Sequence, residues 1–123
     1  MKHGKKIKKL GKPTDQRMAM LKNQVTRLFL HGKLKTTEPK ARATMRLAEK
    51  TLTTARKNDL QAKRLVRRTI NDKTAFKKVF EEYVPRYADH KGGYLSIVKL
   101  PPRRGDGAEM AVLTFVEVEE KAE

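Results

Sequence analysis

The sequence predicts a single α/β domain that is helical over most of its length and ends in a β-hairpin. Apolar residues recur at three- and four-residue spacing between residues 14 and 83, which is the period of an amphipathic helix. Two runs rich in β-branched and aromatic residues, 92–100 and 110–116, flank a linker containing Pro and Gly. That pattern is typical of an antiparallel hairpin with a long tip. The length of 123 residues fits one domain that buries about two-thirds of its unfolded surface.

The first helix is predicted to run to about His31. Thr14 or Asp15 would cap its N terminus, and Gly32 would end it. Its predicted buried stripe consists of Met18, Leu21, Val25, Leu28 and Phe29.

A short strand and a second helix are predicted next. Lys33–Thr37 is the strand candidate, with Leu34 facing inward. Thr37 would cap the helix, in which Glu38 suits the positive end of the dipole and Pro39 is tolerated in the first turn. The helix would continue to residue 56 or 57, with Ala41, Met45, Ala48, Leu52 and Ala55 inward. Arg42, Arg46 and Lys50 would form a basic ridge that is either a solvated face or a track along a phosphate backbone.

Two more helices are predicted between residues 58 and 85. Asn58-Asp59 and Asn71-Asp72 each break the chain and cap the helix that follows. The inward residues would be Leu60, Leu65, Val66 and Ile70 in the first of these helices, and Ala75, Phe76, Val79, Phe80 and Tyr83 in the second. The second helix is expected to stop before Pro85.

The charge indicates a polyanionic partner. The net charge is +16, and residues 1–104 carry +21 while residues 105–123 carry −5. Such a balance implies nucleic acid or an anionic membrane. We divide the chain into a basic N-terminal arm (1–12), a single domain (13–116) and an acidic tail (117–123). Membrane binding by the arm is disfavoured because Ile7 and Leu10 are its only bulky apolar residues.

The composition excludes several other classes of protein. There is no cysteine, so disulfides and thiolate metal sites are excluded. No apolar run approaches the roughly 18 residues of a membrane-spanning helix, and no signal peptide is evident, so the cytosol is the expected location.

No catalytic or cofactor site is predicted. His3, His31 and His90 lack the spacing of metal ligands. Glu81-Glu82 lean to opposite helix faces, and the glycine pairs lack the strand-to-helix context of a phosphate-binding loop. We therefore expect no enzyme, no cofactor, no metal and no small-molecule substrate.

Recognition of a folded RNA by shape and charge fits the sequence best. Aromatic content is 6%, and Phe76 and Phe80 are better explained as core, which leaves Tyr94 and Tyr87 as candidates for stacking on bases. No sequence-specific DNA-binding motif is present. An architectural double-stranded DNA-binding protein remains the alternative, and an enzyme acting on RNA would need a base or metal site that the sequence lacks.

A set of short sequence motifs extends over nearly the full length of the chain. In order, they are Met1–His3, Leu10–Pro13, Asp15–Arg17, Ala19–Leu21, Leu34–Thr37, Lys40–Ala41, Gly92–Tyr94, Ile97, Arg104–Asp106 and Ala108–Met110. Their order and spacing give the chain a specific resemblance to the L17 family of bacterial large-subunit ribosomal proteins. It implies a two-layer α/β fold made of a helix, a strand, three helices and two strands, with a small mixed three-stranded sheet in the order 1-3-2. It also implies a structural protein of the large ribosomal subunit, without catalytic residues. Its partners would be the large-subunit rRNA, near the exit of the nascent-chain tunnel, and neighbouring ribosomal proteins.

The arm, the basic faces of the first two helices and the hairpin are the expected RNA contacts. The candidate RNA-binding residues are Lys2, His3, Lys5, Lys6, Lys8, Lys9, Lys12, Arg17, Lys22, Lys35, Lys40, Arg42, Arg46, Lys91, Tyr94, Lys99, Arg103 and Arg104.

Overall fold

The computed structural model describes residues 14–90 and 92–117. Its elements are α1 (Thr14–His31), β1 (Lys33–Thr37), α2 (Glu38–Ala55), α3 (Leu60–Thr69), α4 (Lys73–Lys78), a π-helical turn (Val79–Tyr83), α5 (Val84–Arg86), β2 (Leu95–Leu100) and β3 (Met110–Phe115). α4, the π-helical turn and α5 form one continuous helical segment, so the predicted fold class and order of elements are confirmed. The arm, Lys91 and residues 118–123 of the tail lie outside the described residues.

The three strands form one sheet in the order β1-β3-β2. β3 pairs antiparallel with both neighbours, with Met110 opposite Thr37 on one side and Leu100 on the other. The predicted hairpin and strand order are confirmed, but the expectation of a mixed sheet was wrong. β1 and β2 do point the same way, yet β3 lies between them, so no parallel pair forms.

The core lies between the helices and one face of the sheet, and aromatic rings fill its centre. Phe115 on β3 packs against Phe29 and Tyr83, with ring centroids 5.3 and 4.3 Å apart. Tyr87 and Tyr94 meet edge-to-face at 5.4 Å and are fully buried. Each buried hydroxyl has a partner, as such groups require: that of Tyr83, for example, donates to the Phe29 carbonyl at 3.1 Å.

Three residues predicted to be buried are exposed instead. Met18 is 36% exposed at the edge of a groove beside Pro39, and Leu60 and Leu65 are 65% and 37% exposed. α3 is rotated about its axis so that Ala62 and Val66, one turn apart, face the core. Leu60 and Leu65 lie on other sides of the helix and remain exposed. The spacing of apolar residues in the sequence does not determine which of these two faces is buried. The inward prediction for these three residues was wrong.

The helix expected to end before Pro85 passes through it. In an α-helix the proline ring would collide with the carbonyl of residue i−4 and remove one hydrogen bond. In the π-helical turn the backbone hydrogen bonds span five residues instead of four, and the Val84 amide donates to the Val79 carbonyl. This wider spacing accommodates Pro85 and carries the chain on to Tyr87, which is fully buried.

Local signals set most helix ends. Gly32 takes φ +80° after α1, a conformation that glycine adopts without steric cost. Asp59 accepts a hydrogen bond from the Ala62 amide at 2.7 Å, and Asp72 accepts one from the Ala75 amide at 3.3 Å, as predicted. Thr37 occupies the N-cap position of α2, but its side chain makes no capping bond.

Replacing Asp59 by alanine is expected to lower the free energy of unfolding by about 1 kcal/mol, because the first turn of α3 loses its capping acceptor. Urea unfolding followed by circular dichroism measures the change. Asp59→Asn retains an oxygen acceptor and should restore most of the loss. An equal loss in both variants would contradict a capping role.

Candidate nucleic-acid interface

A groove of about 340 Å³ runs between α1 and α2. Its apolar lining comes from Met18 and Leu21 of α1 and from Pro39, Ala43 and Leu47 of α2. The predicted ridge of Arg42, Arg46 and Lys50 contributes the basic side chains of this lining, and all three residues are exposed.

A second cleft, of about 290 Å³, adjoins the first at Leu47 and Lys50 and lies between α1, α2 and α3. We call the two together the α2 groove. Besides the residues named above, its lining comprises Lys22, Thr51, Thr54, Leu65, Val66, Arg68 and Thr69. Five cations from three helices therefore line these two adjoining clefts.

No acidic side chain among the described residues lines the α2 groove. Glu38 lies beside one of the lining residues, and its Oε1 accepts hydrogen bonds from Arg42 Nε at 3.1 Å and Nη2 at 2.9 Å. Lys99 Nζ lies 3.9 Å from the same oxygen. The hydrogen bond from Arg42 is the main cause that lowers the pKa of Glu38. The charge of Arg42 is thus partly balanced at one end of the groove.

The hairpin tip is less basic than its sequence suggests. Arg103 forms a bidentate pair with Asp106, with Nε–Oδ1 at 3.1 Å and Nη2–Oδ2 at 2.5 Å. This pair, with a further bond from the Ala108 amide, holds the pKa of Asp106 well below its usual range. Arg104 is exposed and makes no ion pair with another residue in the described part of the chain.

Tyr94 is a core residue, and the prediction that it stacks on bases was wrong. Its side chain is fully buried, and its hydroxyl accepts a hydrogen bond from Arg56 Nη1 at 3.1 Å and lies 3.3 Å from the Thr53 hydroxyl. Tyr87 is fully buried as well. The sequence could not show this burial, because Thr53 and Arg56, the hydrogen-bond partners of Tyr94, are about 40 positions away in the chain.

The structure brings some of the candidate RNA-binding residues together and separates others. Lys22, Arg42 and Arg46 meet at the α2 groove. Lys35 lies elsewhere. It pairs with Val112 of β3, whose neighbours Ala111 and Leu113 face the helices and are buried. Because successive residues of a strand face opposite sides, Val112 and Lys35 lie on the face of the sheet that points away from the helices. The remaining described candidates, Arg17, Lys40, Lys99 and Arg104, do not line either cleft.

Lys50 and Arg68 line the groove although they were not among the candidate contacts. Lys50 continues the row of Arg42 and Arg46 by one turn, and this spacing is visible in the sequence. Arg68 comes from α3, and only the packing of α3 against α2 places it there.

Two further classes of site are not found in the described residues. No helix in residues 14–90 and 92–117 is long and apolar enough to cross a membrane. The same residues contain no cluster of three or more acidic or histidine side chains that could hold a metal ion.

Comparison with known proteins identifies the family. The family model described as ribosomal protein L17 matches residues 20–116. The large ribosomal subunit protein bL17 of Clostridium botulinum is 50% identical over 109 residues, covering 89% of this chain and 96% of that protein. The bL17 proteins of Clostridium acetobutylicum and Clostridium tetani are 50% and 48% identical over the same length. The chain therefore belongs to the ribosomal protein L17 family, as the sequence motifs predicted.

Proposed function

We propose that the protein binds large-subunit rRNA by charge and shape through the α2 groove, as a structural constituent of the large ribosomal subunit. Membership of the L17 family makes it a structural ribosomal component and not an enzyme. The family assignment likewise agrees with the expected location, the large ribosomal subunit in the cytoplasm.

One observation carries this proposal: cations line the α2 groove, and none of the acidic side chains in residues 14–90 and 92–117 does. Arg42, Arg46 and Lys50 follow one another at one-turn intervals along α2, and each step rises about 6 Å along the axis. This spacing is similar to the distance between successive phosphates of one RNA strand. Lys22 and Arg68 widen the row on either side of α2. Such an array supplies affinity and salt dependence rather than base specificity.

The other candidate contacts extend this proposal. The basic arm, including Lys2 to Lys12, and Arg104 at the hairpin tip would hold additional phosphates. From the family resemblance we also propose a position near the exit of the nascent-chain tunnel, where neighbouring ribosomal proteins would contact the chain.

Sucrose-gradient fractionation of cell extract tests the proposed function. The full-length chain should sediment with large subunits and stay there through a moderate salt wash. Recovery in the supernatant would overturn the proposal.

A competition assay at physiological salt addresses the alternative of a DNA-binding protein. Folded rRNA fragments should displace the chain from duplex DNA, and equal affinity for both nucleic acids would favour the alternative.

The hairpin tip gives a separate prediction. Replacing both Arg103 and Arg104 by alanine should flatten the dependence of log K on log salt by only about one unit, because each phosphate contact contributes roughly 0.9 and Asp106 already neutralises Arg103. Filter-binding titrations with an rRNA fragment over a range of salt measure the slope.

Asp106→Asn provides the matched control, since it removes the neutralising charge and frees Arg103. It should strengthen binding and steepen the slope. If instead the double alanine variant leaves the slope unchanged, the tip contacts no phosphate.

A further inference from the structure

We propose that the cleft between α1, α2 and α3 binds one unstacked nucleotide of the rRNA, with the base inside and its phosphate at the rim. This inference rests on the proposed rRNA-binding function and assigns a specific task to one part of the α2 groove. The cleft volume of about 290 Å³ is close to the lower end of the range for small-molecule sites in proteins. Its lining has three chemical parts, and each matches a part of a nucleotide.

The apolar part of the lining matches the face of a base. α3 buries Ala62 and Val66 against the core but leaves Leu65 37% exposed in the cleft. Leu47 of α2, which is half-buried, also lines the cleft. A flat base lying against these leucines would remove their apolar surface from water, which is favourable.

The hydroxyl groups match the edge of a base or a ribose. Thr51 is already engaged, since it donates to the Leu47 carbonyl at 2.7 Å. Thr54 and Thr69 also line the cleft, and their hydroxyls make no hydrogen bond with any residue that the structure describes. Each can donate one hydrogen bond and accept others, so both are available to base edges and to the 2′-hydroxyl that distinguishes RNA.

The cations match a phosphate. Lys22, Lys50 and Arg68 come from three different helices, and none forms an ion pair with a described residue. A continuous duplex would satisfy these charges, but its bases stay stacked inside and would leave Leu65 in contact with water. A bulged or looped nucleotide places both its phosphate and its base within reach. This combination therefore favours an unstacked nucleotide over a duplex backbone.

The test compares two RNA probes that differ by one nucleotide. One is a fully paired RNA duplex, and the other is the same duplex with a single bulged 2-aminopurine. The full-length chain should bind the bulged probe about tenfold more tightly, because the net contribution of one or two hydrogen bonds to the free hydroxyls is of this size and the bulged base is easier to extrude than a paired one. Binding should also raise the emission of 2-aminopurine. The described lining of the cleft contains no aromatic ring that would quench it by stacking.

Two variants locate the effect. Thr54→Val combined with Thr69→Val removes the free hydroxyls at nearly constant volume, and Leu65→Gln removes the apolar contact without adding charge. Each should abolish most of the preference for the bulged probe, measured as the ratio of the affinities for the two probes. Thr74→Val, an exposed threonine on α4 outside the cleft, is the matched control and should retain the preference. Thermal melts establish that all variants are folded.

The outcomes separate this inference from the proposed function. Equal, salt-dependent binding of both probes would overturn the nucleotide cleft and leave rRNA binding by charge intact. A preference that survives in both cleft variants would place the bulge elsewhere and overturn the inference too. Absence of binding to either probe and to rRNA fragments would overturn both proposals.

Discussion

Replacing Glu49 by alanine is expected to lower the free energy of unfolding by about 3 kcal/mol. The carboxylate of Glu49 on α2 accepts hydrogen bonds from the amides of Tyr94 and Leu95, at 3.1 and 2.9 Å. Both residues are buried, so the substitution leaves two amides at the start of β2 without an acceptor. Each hydrogen bond to a charged group contributes roughly 1.5–3 kcal/mol. Urea unfolding followed by circular dichroism measures the loss.

Two controls define the cause of that loss. Glu49→Gln keeps one acceptor oxygen and should lose about half as much. Glu81→Ala removes an exposed carboxylate from the π-helical turn and should change stability by less than about 0.5 kcal/mol. If Glu49→Ala behaves like Glu81→Ala, the two amides do not depend on this side chain.

Glu49 and Arg56 together hold the segment that leads into β2, residues 88–95, in place. Arg56 donates to the Tyr94 hydroxyl and, through Nη2 at 2.8 Å, to the Ala88 carbonyl. One charged residue of α2 and one at its C-cap thus hold the backbone on both sides of the Gly92-Gly93 turn. In the sequence both look like ordinary surface charges, because their partners are more than 30 residues away.

Elements that depend on local signals were predictable from the sequence. The helical period between Met18 and Phe29, ended by Gly32, predicted α1 and its last residue, His31. The start was predicted too late, because Thr14 and Asp15, the expected caps, both lie within the helix. Asp59 and Asp72 predicted the starts of α3 and α4 in the same way. The spacing of apolar residues and turn residues is sufficient for such elements, since each hydrogen bond involved spans only a few positions.

Features that depend on packing or on distant partners were not predictable. The exposure of Leu65 depends on the rotation of α3 about its axis, which the core contacts of Ala62 and Val66 fix. The burial of Tyr94 depends on Arg56, Thr53 and Glu49. The basic ridge was predicted as a row, but the groove beside it exists only because α1 and α3 pack on α2.

Reversing three charges in the α2 groove is expected to weaken rRNA binding about a thousandfold at physiological salt. Lys22→Glu, Lys50→Glu and Arg68→Glu together remove three cations and place three anions opposite the same phosphates, so attraction becomes repulsion. The salt slope should fall by about two to three units, given roughly 0.7–0.9 per phosphate contact. None of the three residues forms an ion pair with a described residue, so the fold should remain intact in thermal melts.

A control variant with the same net charge as the groove variant separates two explanations for the loss of affinity. One is local contact between the groove and phosphates, and the other is the overall field of a protein with net charge +16. Lys33→Glu, Lys35→Glu and Lys77→Glu alter exposed residues that do not line the groove. Charges farther from the RNA than about 10 Å are largely screened at 0.1 M salt, so this variant should keep most of the affinity and of the slope. Equal losses in the two variants would mean that total charge, and not the α2 groove, determines binding. A loss confined to the groove variant requires phosphates to lie against α1, α2 and α3, because screened charges elsewhere cannot reproduce it.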